Sequence, residues 1–222
     1  RSATPEVEAG RALAGRLGVG AVPVTRGVAP AGAAVLASVH SATALDLVEQ
    51  MLSQSDNVLA DMLARWVARV VGQPASFAGA VTAVRQALAG QGIGLPSTMV
   101  DGSGLSPTDR LSPAVLVALL RAALLGAHPR LRQLISALPV AGWDGTLAGR
   151  YRVAGSAAGA GEIRAKTGTL TGVVTLAGIV RNRQGRWLVF ALMTDRVPTG
   201  ALTPAEAALD RAVARLAACR CR

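Results

Sequence analysis

Two short runs hold the residue types that can move a proton: Ser55-Asp56-Asn57 and Lys166-Thr167-Gly168-Thr169. Lys166 is the only lysine in this 222-residue chain, whose 23 Lys plus Arg are otherwise all arginine. Arginine serves a solvated surface position equally well. A guanidinium cannot imitate a compact, rotatable point charge that is able to release its proton. One retained ammonium therefore reads as functional. Ser, Asp and Asn are also good helix N-caps, so the first run taken alone is explained as a cap, and Lys166 taken alone as a solvated strand residue. The order of the two runs and the elements predicted around them favour function.

In that order, the two runs resemble the second and third motifs of the active-site serine penicillin-recognising enzymes, whose first motif is S-x-x-K. The surroundings narrow the resemblance. Ser55-Asp-Asn-Val-Leu-Ala-Asp61, Val100-Asp-Gly-Ser-Gly-Leu-Ser106, Leu138-Pro-Val-Ala-Gly-Trp-Asp-Gly-Thr-Leu147 and Ala165-Lys-Thr-Gly-Thr-Leu170, followed by Leu176-Ala-Gly178, are similar to the peptidase S13 family. That family comprises D-alanyl-D-alanine carboxypeptidases and endopeptidases of peptidoglycan, the class C low-molecular-mass penicillin-binding proteins.

The resemblance implies acyl transfer from a D-Ala-D-Ala amide, which needs a nucleophile, a proton shuttle for the leaving amine and stabilisation of an oxyanion. It gives Ser55 the proton relay and makes Asn57 the holder of the motif-one lysine and of the substrate's amide carbonyl. Lys166 keeps the field positive and aids the relay. The hydroxyls of Thr167 and Thr169 bind the terminal carboxylate, and the backbone N–H of Thr169 is one oxyanion donor. Gly168 lets the substrate backbone lie close, and Leu105 and Leu170 line the substrate site. The implied partners are peptidoglycan stem peptides and β-lactam antibiotics, with no metal or organic cofactor and an extracytoplasmic location.

The sequence departs from that pattern. With Lys166 the sole lysine, no S-x-x-K occurs in these residues. The nucleophile and its base are expected in an N-terminal segment outside them, and the chain alone is expected to be inert. Pro107 stands after Gly-Leu-Ser where the family often has a basic residue, and Leu170 follows the K-T-G-T run where relatives can differ. Two alternatives remain: a non-catalytic peptidoglycan-binding scaffold, or a β-lactamase or esterase of the same fold.

The elements that must position these residues are legible from periodicity and punctuation. Helices are expected over 6–17, 44–52, 57–71, 77–89, 113–125 with Ser112 as its cap, and 204–216, with a short helical turn over 129–136. Residues 22–34 read as an extended loop and 35–39 as a short strand. Asp101-Gly-Ser-Gly104 and Asp144-Gly145 read as turns, Trp143 as packing, and Gly155–Gly161 as a flexible loop without the Lys-Ser/Thr of a phosphate loop. Strands are expected over 162–169, 173–180 and 187–193, the last two joined by a turn at Asn182–Gly185. The result is an α+β fold in two layers, a helical block and then an antiparallel meander. By resemblance this is the β-lactamase/penicillin-binding-protein-like transpeptidase fold, with 1–34 as a connector and 35–222 as the C-terminal part of the catalytic domain.

Composition excludes other classes. A hydrophobic fraction of 51% with 16% charged residues is globular. The formal charge of +10 invites a nucleic-acid reading, but the arginines are scattered and aromatics are only 3%, so no nucleic-acid partner is expected. The Ala, Gly and Arg excess fits a GC-rich codon bias. No apolar stretch reaches the ~18 residues of a membrane span. His40 and His128 are isolated and lack ligand spacing. Cys219 and Cys221 are open to a short disulfide, a partner elsewhere, or a reduced tail.

Overall fold

The computed structural model describes residues 2–95, 98–126 and 129–221. It divides into two compact units, Arg1–Ser41 and Ala42–Arg222. The first contains α1 (Pro5–Arg16), with Pro5 in its first turn and Arg16 in its last, and no buried residue. An exposed ion pair joins Arg26 to Glu6. The strand expected over 35–39 does not form, and Val35, Leu36 and Val39 are exposed. A β-rich stretch becomes a strand only where a partner completes its hydrogen bonds. The two units divide after Ser41.

The second unit starts with α2 (Ala44–Gln54), α3 (Asn57–Val70) and α4 (Phe77–Ala89). Thr43 and Asp46 form a reciprocal capping box at the start of α2. The small side chains of Ala68, Ala80 and Ala83 are buried where α3 and α4 pack, and the Arg65 guanidinium lies 4.4 Å from the Phe77 ring centroid. Then come α5 (Pro113–Leu125) and α6 (Pro129–Ser136). Pro113 opens α5 as expected, but the Ser112 hydroxyl makes no cap hydrogen bond.

The sheet is an antiparallel meander in the order β1-β2-β3: Ile163–Leu170, Val173–Arg181 and Trp187–Thr194. Lys166 pairs with Ala177 and Gly168 with Thr175. Asn182 builds the β2–β3 turn, its side-chain carbonyl accepting from the N–H groups of Gln184 and Arg186. Helix α7 (Leu202–Ala218) covers one face, where Leu209, Val213, Ala214 and Ala217 join Ile163, Ala165, Val174, Leu176, Val180 and Phe190 in one core. Strand alternation sends the fully buried Ile179 to the other face, where α5 packs on β2 and β3. The sheet is thus covered on both faces, which corrects the two-layer expectation to three. Buried Ile, Val and Leu on both sides of β2 are what such a sandwich requires.

Three further expectations are corrected. Residues 155–161 are not a flexible loop: Ala157–Gly159 is a 3-10 turn with Gly159 buried. A Cβ on Gly159 would come 2.4 Å from Ile163 Cδ1 and 2.7 Å from Tyr151, so glycine is there for close packing. Trp143 is not packing but 81% exposed, because the tight turn around Val140–Asp144 presents it to solvent. Cys219 and Cys221 are joined in a disulfide, which settles the alternatives left open for the tail. His40 is exposed, and His128 lies outside the described residues. Among the described residues no single helix is long and apolar enough to cross a membrane.

Candidate active site

The break between α2 and α3 is built by Ser55, Asp56 and Asn57. Ser55 ends α2 in the left-handed region (φ 55°, ψ 46°), so the chain turns without a linker. Asp56 then caps α3, its Oδ1 accepting from the N–H groups of Val58 (2.9 Å) and Leu59 (3.0 Å). The capping explanation therefore holds for Asp56 alone. Ser55 and Asn57 remain half-buried on either side of it, and the Asn57 carboxamide makes no hydrogen bond among the described residues.

Lys166 arrives from β1, 111 positions away in sequence, and its Nζ donates to Ser55 Oγ at 2.7 Å and to the Thr167 carbonyl at 2.8 Å. Burial lowers its pKa from 10.5 to about 8, since little water is left to stabilise the ammonium. The lysine therefore titrates in the range where a proton relay is useful. The Ser55 hydroxyl, already an acceptor from Lys166, is free to direct its own proton elsewhere.

β1 is an edge strand, and its outer side is partly covered. Ala165 N–H donates to Pro139 O (3.0 Å) and Ala141 N–H to Ile163 O (2.9 Å), so odd-numbered residues of β1 direct their peptide groups outward. Thr167 and Thr169 continue that parity beyond the end of the covering segment. The N–H of Thr169 thus faces the open edge, where the sequence reading placed an oxyanion donor.

The same covering segment supplies Thr146, in the 3-10 turn Gly145–Leu147, whose Oγ1 accepts from Thr167 Oγ1 at 3.0 Å. The turn packs on the end of α2, two residues before Ser55: Gly145 has φ 52°, and a Cβ there would come 2.5 Å from Ser53 O. Thr146 was visible only as part of a motif string and had no assigned role. The nearby Arg150–Asp210 ion pair is buried at 2.6 Å, beside a Tyr151 whose hydroxyl has no hydrogen-bond partner among the described residues. Burial, then the Asp210 charge, raises the pKa of that phenol and keeps it neutral.

Two of the expected site residues also make contacts within the fold. A Cβ on Gly168 would come 2.4 Å from Thr175 Oγ1 on β2, so the sheet itself is tight at this position. The Thr169 hydroxyl is already engaged, donating to Glu206 Oε1 of α7 at 2.8 Å. Nothing local in sequence signalled that contact, which joins residues 37 positions apart.

Leu170 ends β1 half-buried, opposite Val173. Leu105 lies apart from the hydrogen-bonded group, 43% exposed on the turn held by the Asp101 carboxylate. That turn docks on α3 through Gly102 N–H to Asp61 Oδ1 (3.0 Å), so its framework reading stands. Arg110 donates to the Pro107 carbonyl at 2.8 Å, bringing a guanidinium beside the position where a basic residue was expected. Among the described residues no group of three or more His, Cys, Asp and Glu could hold a metal.

A Lys–Ser pair at the foot of an open strand edge, in this order of motifs, is matched by a family profile over residues 1–216. The chain belongs to the D-Ala-D-Ala carboxypeptidase 3 (S13) family. It is 44% identical over 228 residues to "Carboxypeptidase DacB" of Mycolicibacterium smegmatis, covering 100% of this chain and 48% of that protein. It is 36% identical over 159 residues to the D-alanyl-D-alanine carboxypeptidase DacB of Haemophilus influenzae, covering 71% and 33%. The crystal structure of penicillin binding protein 4 from H. influenzae superposes with TM-score 0.69 at 33% identity, over 77% of this chain and 38% of that one. The same protein has been solved in complex with a β-lactam. The chain spans about half the length of the mycobacterial relative, 48%.

Proposed function

We propose that this chain supplies the second and third parts of the site of a serine D,D-carboxypeptidase or D,D-endopeptidase. Its substrates are the D-Ala-D-Ala or D-Ala-diaminoacyl bonds of peptidoglycan stem peptides, and β-lactams capture it covalently. The observation that carries this reading is the Lys166 Nζ–Ser55 Oγ contact of 2.7 Å beside the unpaired edge of β1. The substrate lies outside the cell membrane, so the enzyme works extracytoplasmically.

The nucleophilic serine and its lysine belong to an S-x-x-K segment outside these residues. The exposed face of α3 supports that arrangement. Val58, Met62, Trp66 and Val70 are 40, 60, 70 and 73% exposed and recur every fourth position, forming an apolar stripe that starts one residue after Asn57. Exposed apolar stripes mark docking surfaces, and this one leads directly from the site.

In acylation the substrate peptide lies along the edge of β1, as added strands do. Its scissile carbonyl oxygen points to the Thr169 N–H as negative charge develops there. The serine–carbonyl bond forms and the C–N bond breaks. The serine's proton passes to its lysine, and the leaving amine receives one through Ser55, which Lys166 holds in place. Asn57 offers its carboxamide to the motif-one lysine and the substrate amide. Water then cleaves the acyl-serine by the same path in reverse.

The test is release of D-Ala from a D-Ala-D-Ala stem peptide by the chain combined with an S-x-x-K segment. Release is expected for the combination and not for the chain alone. Ser55→Ala should lower kcat by a hundredfold or more, in the ~10²–10⁴ range of positioned proton transfer. Peptide binding without release in either case would favour the scaffold reading.

A further inference from the structure

We infer that Thr146 is a positioning residue for the substrate's terminal carboxylate, acting through the hydroxyl of Thr167. The inference rests on the hydrolase reading above.

The 3-10 turn Gly145–Leu147 sits between the two elements that carry the site. On one side Gly145 lies against Ser53 at the end of α2, and on the other Thr146 Oγ1 meets Thr167 Oγ1 of β1 at 3.0 Å. The turn is held in place by groups that take no part in the chemistry. The Asp144 carboxylate accepts from the Val140 N–H, Gly142 N–H donates to the Leu147 carbonyl at 3.0 Å, and the Leu147 side chain is fully buried in the core. Thr146 is therefore a fixed point from which a side chain on the strand can be aimed.

Both threonines are half-buried, and among the described residues the Thr146 hydroxyl has no partner other than Thr167. A hydroxyl carries one rotatable proton and two lone pairs. In the structure Thr167 donates to Thr146. Turning the two protons, with no heavy atom displaced, reverses the direction: Thr146 donates to Thr167, and Thr167 gives its proton to the carboxylate. Donation into Thr167 polarises its O–H, so the bond that reaches the anion gains from the one behind it. A bond to an ionised acceptor is also about twice as strong as a neutral one, so a carboxylate gains more from this chain than an uncharged group does.

The experiment uses the complete enzyme, this chain with its S-x-x-K segment, on two acyl-D-Ala thioesters. They differ only in whether the leaving thiol bears a carboxylate or a carboxamide, and the reactive thioester keeps turnover of both measurable. Thr146→Val removes the hydroxyl at nearly constant volume, Thr146→Ala removes it with the methyl group, and Thr146→Ser keeps it. Val and Ala should each lower the carboxylate-to-carboxamide ratio of kcat/KM about fivefold, mostly through KM for the carboxylate, and Ser should keep the wild-type ratio. A ratio unchanged in Val and Ala, or lost equally in Ser, would overturn the inference while the hydrolase reading stands. So would equal losses on both thioesters with a lowered Tm, which mark a residue that only supports the turn, and so would a wild type that does not distinguish the two. If wild type turns over neither thioester, the hydrolase reading falls and takes this inference with it.

Discussion

Because Lys166 is the only lysine, its titration can be followed in isolation. In protein labelled at the lysine ε-carbon, one side-chain resonance reports the ammonium. Its midpoint should lie at about 8, lowered by burial from 10.5. Ser55→Ala removes one of the two acceptors that hold the ammonium, at 2.7 Å, and leaves the Thr167 carbonyl at 2.8 Å. A net hydrogen bond of ~1 kcal/mol favouring the charged form corresponds to about 0.7 pKa unit. The variant's midpoint should therefore fall by roughly that much. Between about 8 and 10.5 the unfolded chain holds a proton that the folded chain has released, so Lys166's contribution to stability rises with pH across that window. A wild-type midpoint at 10.5, or a midpoint that rises in Ser55→Ala, would refute the contact.

Two further outcomes follow from packing. Asp210→Asn leaves the Arg150 guanidinium, 16% exposed, without its counter-charge, and should cost about 3 kcal/mol, lowering Tm by roughly 10 °C in a thermal melt. Gly168→Ala drives a methyl against Thr175 and should lower both Tm and activity, with Thr175→Ala in the same chain restoring part of the loss in Tm.

What was legible in the sequence has physical reasons. Residues 77–89, 113–125 and 129–136 match the observed helices because Ser76, Pro113 and Pro129 punctuate their starts. The meander was visible because β-branched runs bounded by glycine turns leave little else to form. Residues 35–39 misled because strand propensity is conditional on a partner, and Trp143 misled because an aromatic on a tight turn has nothing to pack against. Ser55 and Lys166 were legible by residue type and motif, and the structure brings them into contact. Glu206 was not legible, because only the packing of α7 under β1 carries it to Thr169.

The central claim is that Lys166 and Ser55 form part of a serine acylation site, and intact-mass measurement after exposure to a penicillin tests it most directly. With the S-x-x-K segment supplied, the protein should gain the mass of one penicillin on that segment's serine, and Lys166→Ala should abolish or greatly slow the gain. No adduct on the combined protein, or one that forms equally fast in Lys166→Ala, would contradict the account.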